Sequence, residues 1–253
     1  MYLWQRTANQ NWWSDHEERV RAVTGNRLTI IERPDRTQLR LEVACRSQND
    51  AQKLAGDFGG RVKKLTSDWL KRFLRQKTKP LKVGCRQLII PAGAAFGTGL
   101  HATTAMSVRL LEKLTRKWKP GWSIIDLGTG SGILALAAKH LGAARVLGID
   151  NDPVAISTAK RNARLNKIDN VKFCGGDVKR WKSRRKVDIV TANLFSELLI
   201  EILPSLKRAQ WLILSGILRN QERDVTRALK RNKIDIVQAR RRGKWVAILA
   251  AVT

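Results

Sequence analysis

The sequence predicts an α/β protein in which a seven-stranded, mostly parallel sheet ends in an antiparallel hairpin and is preceded by a small α+β lobe. Three observations carry this. From Ser123 onward, short β-rich runs alternate with amphipathic segments of helical length, the pattern of βαβ units on a parallel sheet. The last two apolar runs, Ile234 to Ala239 and Lys244 to Val252, are separated only by Arg240-Arg241-Arg242-Gly243. That connection is too short for a crossover, so the final strand must run antiparallel to its partner. The length of 253 residues holds one α/β core with room for a small second domain, since domains typically run to about 100 to 200 residues.

Taken in order, residues 1–80 are expected to form the small lobe and its linker, and 81–253 the larger domain. In the lobe, 27–32 and 38–45 read as strands around the turn Pro34-Asp35-Arg36, Asn49 to Phe58 as a helix and Gly60 to Leu65 as a third strand. This reading assigns no element before residue 27. Trp4, Trp12 and Trp13 are expected in the core or in packing between the lobes, because large aromatic rings are mostly buried. The basic, Pro-containing stretch Lys71 to Pro80 is the expected connection. Residues 101–117 make an amphipathic helix with Met106, Leu110, Leu111 and Leu114 on one face. Strands follow at 123–127, 145–150, 171–174, 187–192 and 211–215, with helices at about 131–141, 153–166, 195–207 and 218–231 between them. Asp152-Pro153 is a good N-cap and first-turn pair for the second of these helices.

Bulk composition narrows the function classes. The longest uncharged apolar run, Trp245 to Val252, is far short of the roughly 20 residues a bilayer span requires. Met1-Tyr2-Leu3-Trp4-Gln5-Arg6 lacks the basic-then-apolar pattern of a signal peptide, and the cysteines at 45, 85 and 174 form neither a metal spacing nor an even disulfide set. A soluble, cytoplasmic protein with no membrane partner and no metal is expected. The 49 Lys and Arg against 21 Asp and Glu leave +28, a field that attracts nucleic acid or other polyanions. Residues 1–80 hold 17 basic and 9 acidic residues (+8) and 81–253 hold 32 and 12 (+20), so the larger domain carries most of the excess. The densest stretches are Lys179 to Lys186 and the cluster Arg240, Arg241, Arg242 and Lys244. They read either as contacts to RNA or a ribosome or as a solvated surface.

Between the first strand of the sheet and its helix lies Asp126-x-Gly128-x-Gly130-x-Gly132. Missing side chains there let backbone approach a ligand, and the helix N-terminus offers free N–H groups. The dinucleotide fingerprint G-x-G-x-x-G would need its third glycine at 133, which is Ile133, so a nicotinamide cofactor is disfavoured. An acidic residue two positions before the first glycine suits a cationic ligand. S-adenosylmethionine carries an ammonium and a sulfonium and no phosphate, and Asp126 is expected near the ammonium. Asp150 ends the second strand, where a carboxylate can accept hydrogen bonds from both ribose hydroxyls. Asp177, after the third strand in Gly175-Gly176-Asp177, can accept the adenine exocyclic amine. The terminal hairpin agrees, because dinucleotide-binding Rossmann sheets are wholly parallel and the Rossmann-like methyltransferase sheet inserts an antiparallel strand at its end.

The run Pro91-Ala92-Gly93-Ala94-Ala95-Phe96-Gly97-Thr98-Gly99-Leu100-His101-Ala102-Thr103-Thr104 resembles the loop before the methyltransferase domain in the PrmA family, the methyltransferases of large-subunit ribosomal protein eleven. Further matches are Ala192-Asn193-Leu194, Leu214-Ser215-Gly216-Ile217-Leu218 and Lys244-Trp245-Val246-Ala247, so the resemblance covers about residues 85–253. It implies a loop that folds over the cofactor, with Phe96, Thr98, His101 and Thr104 as contacts, and a ferredoxin-like N-terminal lobe that reads the substrate. The lobe here looks short for that. Read from the residues alone, Gly93, Gly97 and Gly99 give the loop flexibility, and Thr103 or Thr104 can cap a helix start.

Methyl transfer from a sulfonium is an in-line displacement that needs alignment and exclusion of water rather than a metal. The acceptor must offer a lone pair. A Lys amine of pKa about 10.4 costs roughly 4 kcal/mol to deprotonate near pH 7.4, and an α-amine of pKa about 7.7 to 8.0 costs under about 1. Related amine and amide methyltransferases place a hydrogen-bonding Asn or Asp after the fourth strand, where Asn193 stands. The sequence Asn193-Leu194-Phe195-Ser196 lacks the Asn-Pro-Pro-aromatic signature, which argues against adenine or glutamine-amide methylation. The expected function is S-adenosylmethionine-dependent N-methylation of a ribosomal protein, on its α-amine or on Lys, by a monomer. The rivals are lysine methylation of another protein, RNA methylation, and a catalytically silent RNA-binding module.

Overall fold

The computed structural model describes residues 2–24, 27–32, 38–45, 47–64, 80–91, 101–182 and 185–252. The chain divides into two compact units, Met1–Gln76 and Lys77–Thr253. Residues 71–79 of the expected linker, the turn at 34–36 and the loop residues 92–100 lie outside the described residues.

The first unit contains more than the sequence reading assigned. Strand β1 (Tyr2–Asn9) leads into helix α1 (Gln10–Thr24), then β2 (Leu28–Glu32), β3 (Gln38–Cys45), α2 (Gln48–Phe58) and β4 (Arg61–Lys64). The sheet order is β2-β3-β1-β4, with β1 antiparallel to both β3 and β4. These are the six elements of a β-α-β-β-α-β, ferredoxin-like unit. The first 24 residues supply one strand and one helix of it. Trp4 is fully buried, donates from Nε1 to the Gly59 carbonyl at 2.8 Å and lies edge-on to Phe58, while Trp13 packs in the same core. Trp12 is half-buried, stacked on His16 with the Arg6 guanidinium over its ring. Ser47 caps α2 by accepting from the Asp50 amide at 3.1 Å.

The second unit opens with a two-stranded hairpin that the sequence did not suggest, β5 (Leu81–Val83) and β6 (Arg86–Leu88). Helix α3 (Ala102–Thr115) follows, and then β7 (Ser123–Leu127), α4 (Ile133–His140), β8 (Arg145–Asp150), α5 (Pro153–Leu165), β9 (Val171–Gly175), β10 (Val187–Asn193), α6 (Ser196–Ile202), β11 (Ala209–Leu218), α7 (Glu222–Arg231), β12 (Ile234–Arg242) and β13 (Trp245–Val252). The sheet order is β12-β13-β11-β10-β7-β8-β9. Strands β7 to β11 pair parallel, and β13 runs antiparallel to both β11 and β12. The expected Rossmann-like methyltransferase sheet is present.

Boundaries differ where local chemistry intervenes. Helix α4 starts at Ile133 because Gly132, its N-cap, is left-handed. Pro204 turns the end of the expected 195–207 helix into the 3-10 turn Leu203–Leu206. Strand β11 runs on to Leu218 through a bulge at Gly216, so the next helix begins only at Glu222. Asp152 caps α5 through the Val154 amide at 2.8 Å, ahead of Pro153. The central strands bury both faces, one against the side that includes Leu110, Leu136 and Ile189, the other against Leu199, Leu212 and Leu229.

Candidate active site

Strand order reverses between β7 and β10, and in open α/β sheets the crevice at the carboxyl ends of the strands beside such a switch point is where ligands bind. Asp126, Asp150 and Asn193 come from the carboxyl ends of β7, β8 and β10.

The turn after β7 is held from below and from the side. Gly128 and Thr129 donate their amides to the Ile149 carbonyl at 2.8 and 2.9 Å, and the buried Asn162 donates to the Ser131 carbonyl at 2.8 Å. Gly128, at φ +69, leaves no room for a side chain, because a Cβ there would run into Leu194. Gly132, at φ +81, would place one 2.9 Å from the Ala159 Cβ. The bare backbone of the turn therefore follows from its packing as well as from any ligand.

Asp126 is 1% exposed. Its two carboxylate oxygens accept from the hydroxyls of Thr129 at 2.7 Å and Thr191 at 2.6 Å. Thr191 is its register partner on β10. The carboxylate expected to meet a ligand ammonium is turned into the protein, where it anchors the turn to the neighbouring strand. Burial pushes its pKa up to about 6, against the pull of hydrogen bonds from Thr191, Thr129 and the Ala135 backbone. Because this lies above the ordinary carboxylate value, the folded protein binds the proton more tightly than the unfolded chain across about pH 4 to 6. The ionised group then opposes folding as pH rises through that window, by on the order of 3 kcal/mol at neutral pH. Asp126→Asn is expected to gain thermal stability relative to the parent between about pH 4.5 and 7.5. A stability difference that is the same at both pH values would contradict this account of the site.

Asp150 is half-buried and accepts from the Gly130 amide through Oδ2 at 2.9 Å and from the Asp152 amide through Oδ1 at 3.0 Å. Each oxygen keeps a lone pair, so the carboxylate can take two hydroxyl donors without releasing the turn. Asp177 is exposed and accepts from the Lys179 amide at 2.9 Å, a turn-forming contact. Phe96 and Thr98 lie outside the described residues.

The side of the crevice facing α3 is tied together by Thr103, whose part the sequence did not single out. Its hydroxyl lies 2.7 Å from His101 Nδ1 and accepts from Asn193 Nδ2 at 3.2 Å. Its carbonyl accepts from the Ser215 hydroxyl at 3.4 Å. His101 is the N-cap of α3, edge-on to Trp245 of the terminal hairpin at 5.1 Å, and burial followed by the Lys244 charge lowers its pKa. It orients the Thr103 hydroxyl as a neutral ring. Asn193 Oδ1 makes no hydrogen bond among the described residues and can accept one N–H. Thr104 is fully buried, and its hydroxyl has no hydrogen-bond partner among the described residues. A ligand carrying polar groups would satisfy it. Phe195, two residues after Asn193, is 76% exposed at the same end of the sheet.

A carboxylate with a lone pair left on each oxygen, beside a turn in which every second residue is glycine, can accept the two hydroxyls of a nucleoside ligand. The family model described as "Ribosomal protein L11 methyltransferase (PrmA)" matches residues 78–253. The chain is similar to a ribosomal protein L11 methyltransferase of Symbiobacterium thermophilum, 40% identical over a 194-residue alignment that covers 68% of this chain and 62% of the relative. It is also similar to one of Bacillus cytotoxicus, 41% identical over 162 residues, 62% of this chain and 51% of the relative. The chain thus spans between about half and three fifths of the length of the curated relatives it matches. Among solved structures, the ribosomal protein L11 methylase of Lactobacillus delbrueckii subsp. bulgaricus has a TM-score of 0.57 at 31% identity, covering 63% of this chain and 81% of that one. With the match running through the whole sheet and its terminal hairpin, the chain belongs to the PrmA family of ribosomal protein L11 methyltransferases.

Proposed function

We propose that the chain is an S-adenosylmethionine-dependent methyltransferase that acts in the cytoplasm on an amine of a ribosomal protein, large-subunit protein eleven. The observation that carries this is the Oδ1 of Asn193, without a hydrogen bond among the described residues and fixed through Thr103 at the carboxyl end of β10. S-adenosylmethionine bound at the glycine turn supplies an electrophilic methyl group. Asp150 accepts its ribose hydroxyls, and Thr104 offers the buried hydroxyl. Phe96 and Thr98 are assigned to the same cofactor on the family resemblance alone.

The acceptor amine must arrive neutral, with its lone pair toward the methyl group. Asn193 Oδ1 accepts one N–H and so fixes the direction of that lone pair, which is the alignment an in-line displacement requires. A neutral amide oxygen suits the task better than a carboxylate, which would hold the amine protonated. The first unit is proposed as the reader of the protein substrate.

The experiment is incubation of the purified chain with methyl-labelled S-adenosylmethionine and either isolated large-subunit protein eleven or a lysate. Label is expected in protein, lost to protease and stable to RNase. Label lost to RNase would replace a protein acceptor by RNA, and absence of label would favour the silent binding module.

A further inference from the structure

Three adjoining clefts cross the amino-terminal edge of the seven-stranded sheet, the edge opposite the one carrying Asp150 and Asn193. The central cleft, of about 770 Å³, opens among the starts of β7, β8, β10 and β11 and the end of β13. A second continues toward β9 and shares Ser123, Arg145, Lys186 and Val187 with it. The third shares Lys207 and Arg208 and continues along the 3-10 turn. The trough spans six neighbouring strands, about 24 Å at roughly 4.8 Å per strand.

Among the described residues its lining holds eight basic side chains against two acidic ones. Both acids are already engaged: Asp188 accepts from the Ser123 amide and hydroxyl at 2.7 and 2.6 Å, and Glu201 pairs with Lys179 at 2.8 Å. Arg145, Lys172, Lys186 and Lys207 are exposed. Cations near helix C-termini are expected as partners of the helix dipole, and Arg145 and Lys186 stand beyond the helix ends, at or next to strand starts. A row of like charges along one trough costs stability through repulsion.

We infer that this trough binds the phosphate backbone of helical RNA. Two features choose that occupant. The spacing of cations along an elongated groove matches a linear polyanion, whose affinity comes from backbone neutralisation. None of the described lining residues is aromatic, so the described trough offers no platform for the unstacked bases that single strands use, whereas duplex RNA is held by shape and backbone contacts. Its place at the far edge of the sheet from Asn193 makes it a docking surface and not the route of a methyl acceptor. The proposal stands apart from the identity of that acceptor.

The test measures binding of the full chain to a 20-base-pair RNA duplex and to a 20-nucleotide oligo-uridine across a salt series, without S-adenosylmethionine. Arg145→Glu/Lys186→Glu/Lys207→Glu is compared with the equal charge change Arg219→Glu/Arg240→Glu/Arg242→Glu on the opposite edge. The trough variant is expected to bind duplex at least about tenfold more weakly near 0.15 M salt, with the slope of log affinity against log salt reduced by roughly 2 to 3. The second variant should retain most of the affinity. Should reversal unfold the protein, as thermal unfolding would reveal, the Gln triple at the same positions should still lower the slope. Equal or greater loss in the second variant, tighter binding to oligo-uridine than to duplex, or displacement of duplex by poly-L-glutamate at equal charge would each overturn the proposal.

Discussion

Asp150→Ala is expected to weaken S-adenosylmethionine binding by at least about 100-fold. The side chain ends β8 with one lone pair on each oxygen uncommitted, after accepting from the amides of Gly130 and Asp152. Hydrogen bonds to a charged group contribute roughly 1.5 to 3 kcal/mol each, so two ribose hydroxyls account for about 3 to 6 kcal/mol, and each 1.4 kcal/mol is a factor of ten. The substitution also releases Gly130, so part of the effect comes through the turn. Asp150→Asn divides the effect. It keeps one acceptor oxygen, while its NH2 faces one of the two backbone N–H donors as well as a ribose hydroxyl, so both binding and unfolding stability should fall to values between those of the parent and the Ala variant. Calorimetric titration with S-adenosylmethionine and with the demethylated product reads both. Unchanged affinity in the Ala variant would remove Asp150 from the cofactor site.

The parallel core was legible in the sequence because its strands are buried on both faces and read as nearly continuous apolar runs, as in Val187-Asp188-Ile189-Val190. The terminal hairpin was legible because four residues between two apolar runs allow only an antiparallel return. The first 24 residues were not. Strand β1 buries only Trp4 and Ala8 fully, and α1 buries only Trp13, Val20 and Thr24, too sparse for a period of 2 or 3.6 to stand out. Gly216 read as the end of a strand. In the structure it is a left-handed bulge inside one, forced by the Leu194 carbonyl that occupies the space of a side chain.

In the site, the residue types and their strand ends could be read, but not the direction of each side chain. Asp126 and Thr191 lie 65 positions apart and meet as register partners on β7 and β10. One signal was available: Thr191 is an uncharged polar residue inside the apolar stretch Ile189-Val190-Thr191-Ala192, and a buried hydroxyl there demands a partner. The contact of Thr103 with Asn193 spans 90 positions and left no such mark, because Thr103 also reads as an ordinary helix-start residue.

That contact gives Asn193 a role that activity measurements can separate from a structural one. Asn193→Ala is expected to lower kcat by about 100- to 1,000-fold, the range found when one oriented hydrogen bond at a reacting centre is removed. Cofactor affinity should stay within about threefold, because the proposed ribose and turn contacts belong to Asp150 and residues 128–132. Asn193→Asp tests the chemistry further. A carboxylate still accepts from the amine but raises its pKa, so the rate should rise with pH over a range displaced upward from that of the parent. For the parent, a rate that levels off near pH 8 marks an α-amine acceptor, and one still climbing toward pH 10 marks Lys. If Asn193 only held α3 to β10 through Thr103, Asn193→Asp would alter stability and leave the pH profile where it was. A displaced profile with intact cofactor binding therefore assigns the acceptor nitrogen to Asn193 Oδ1.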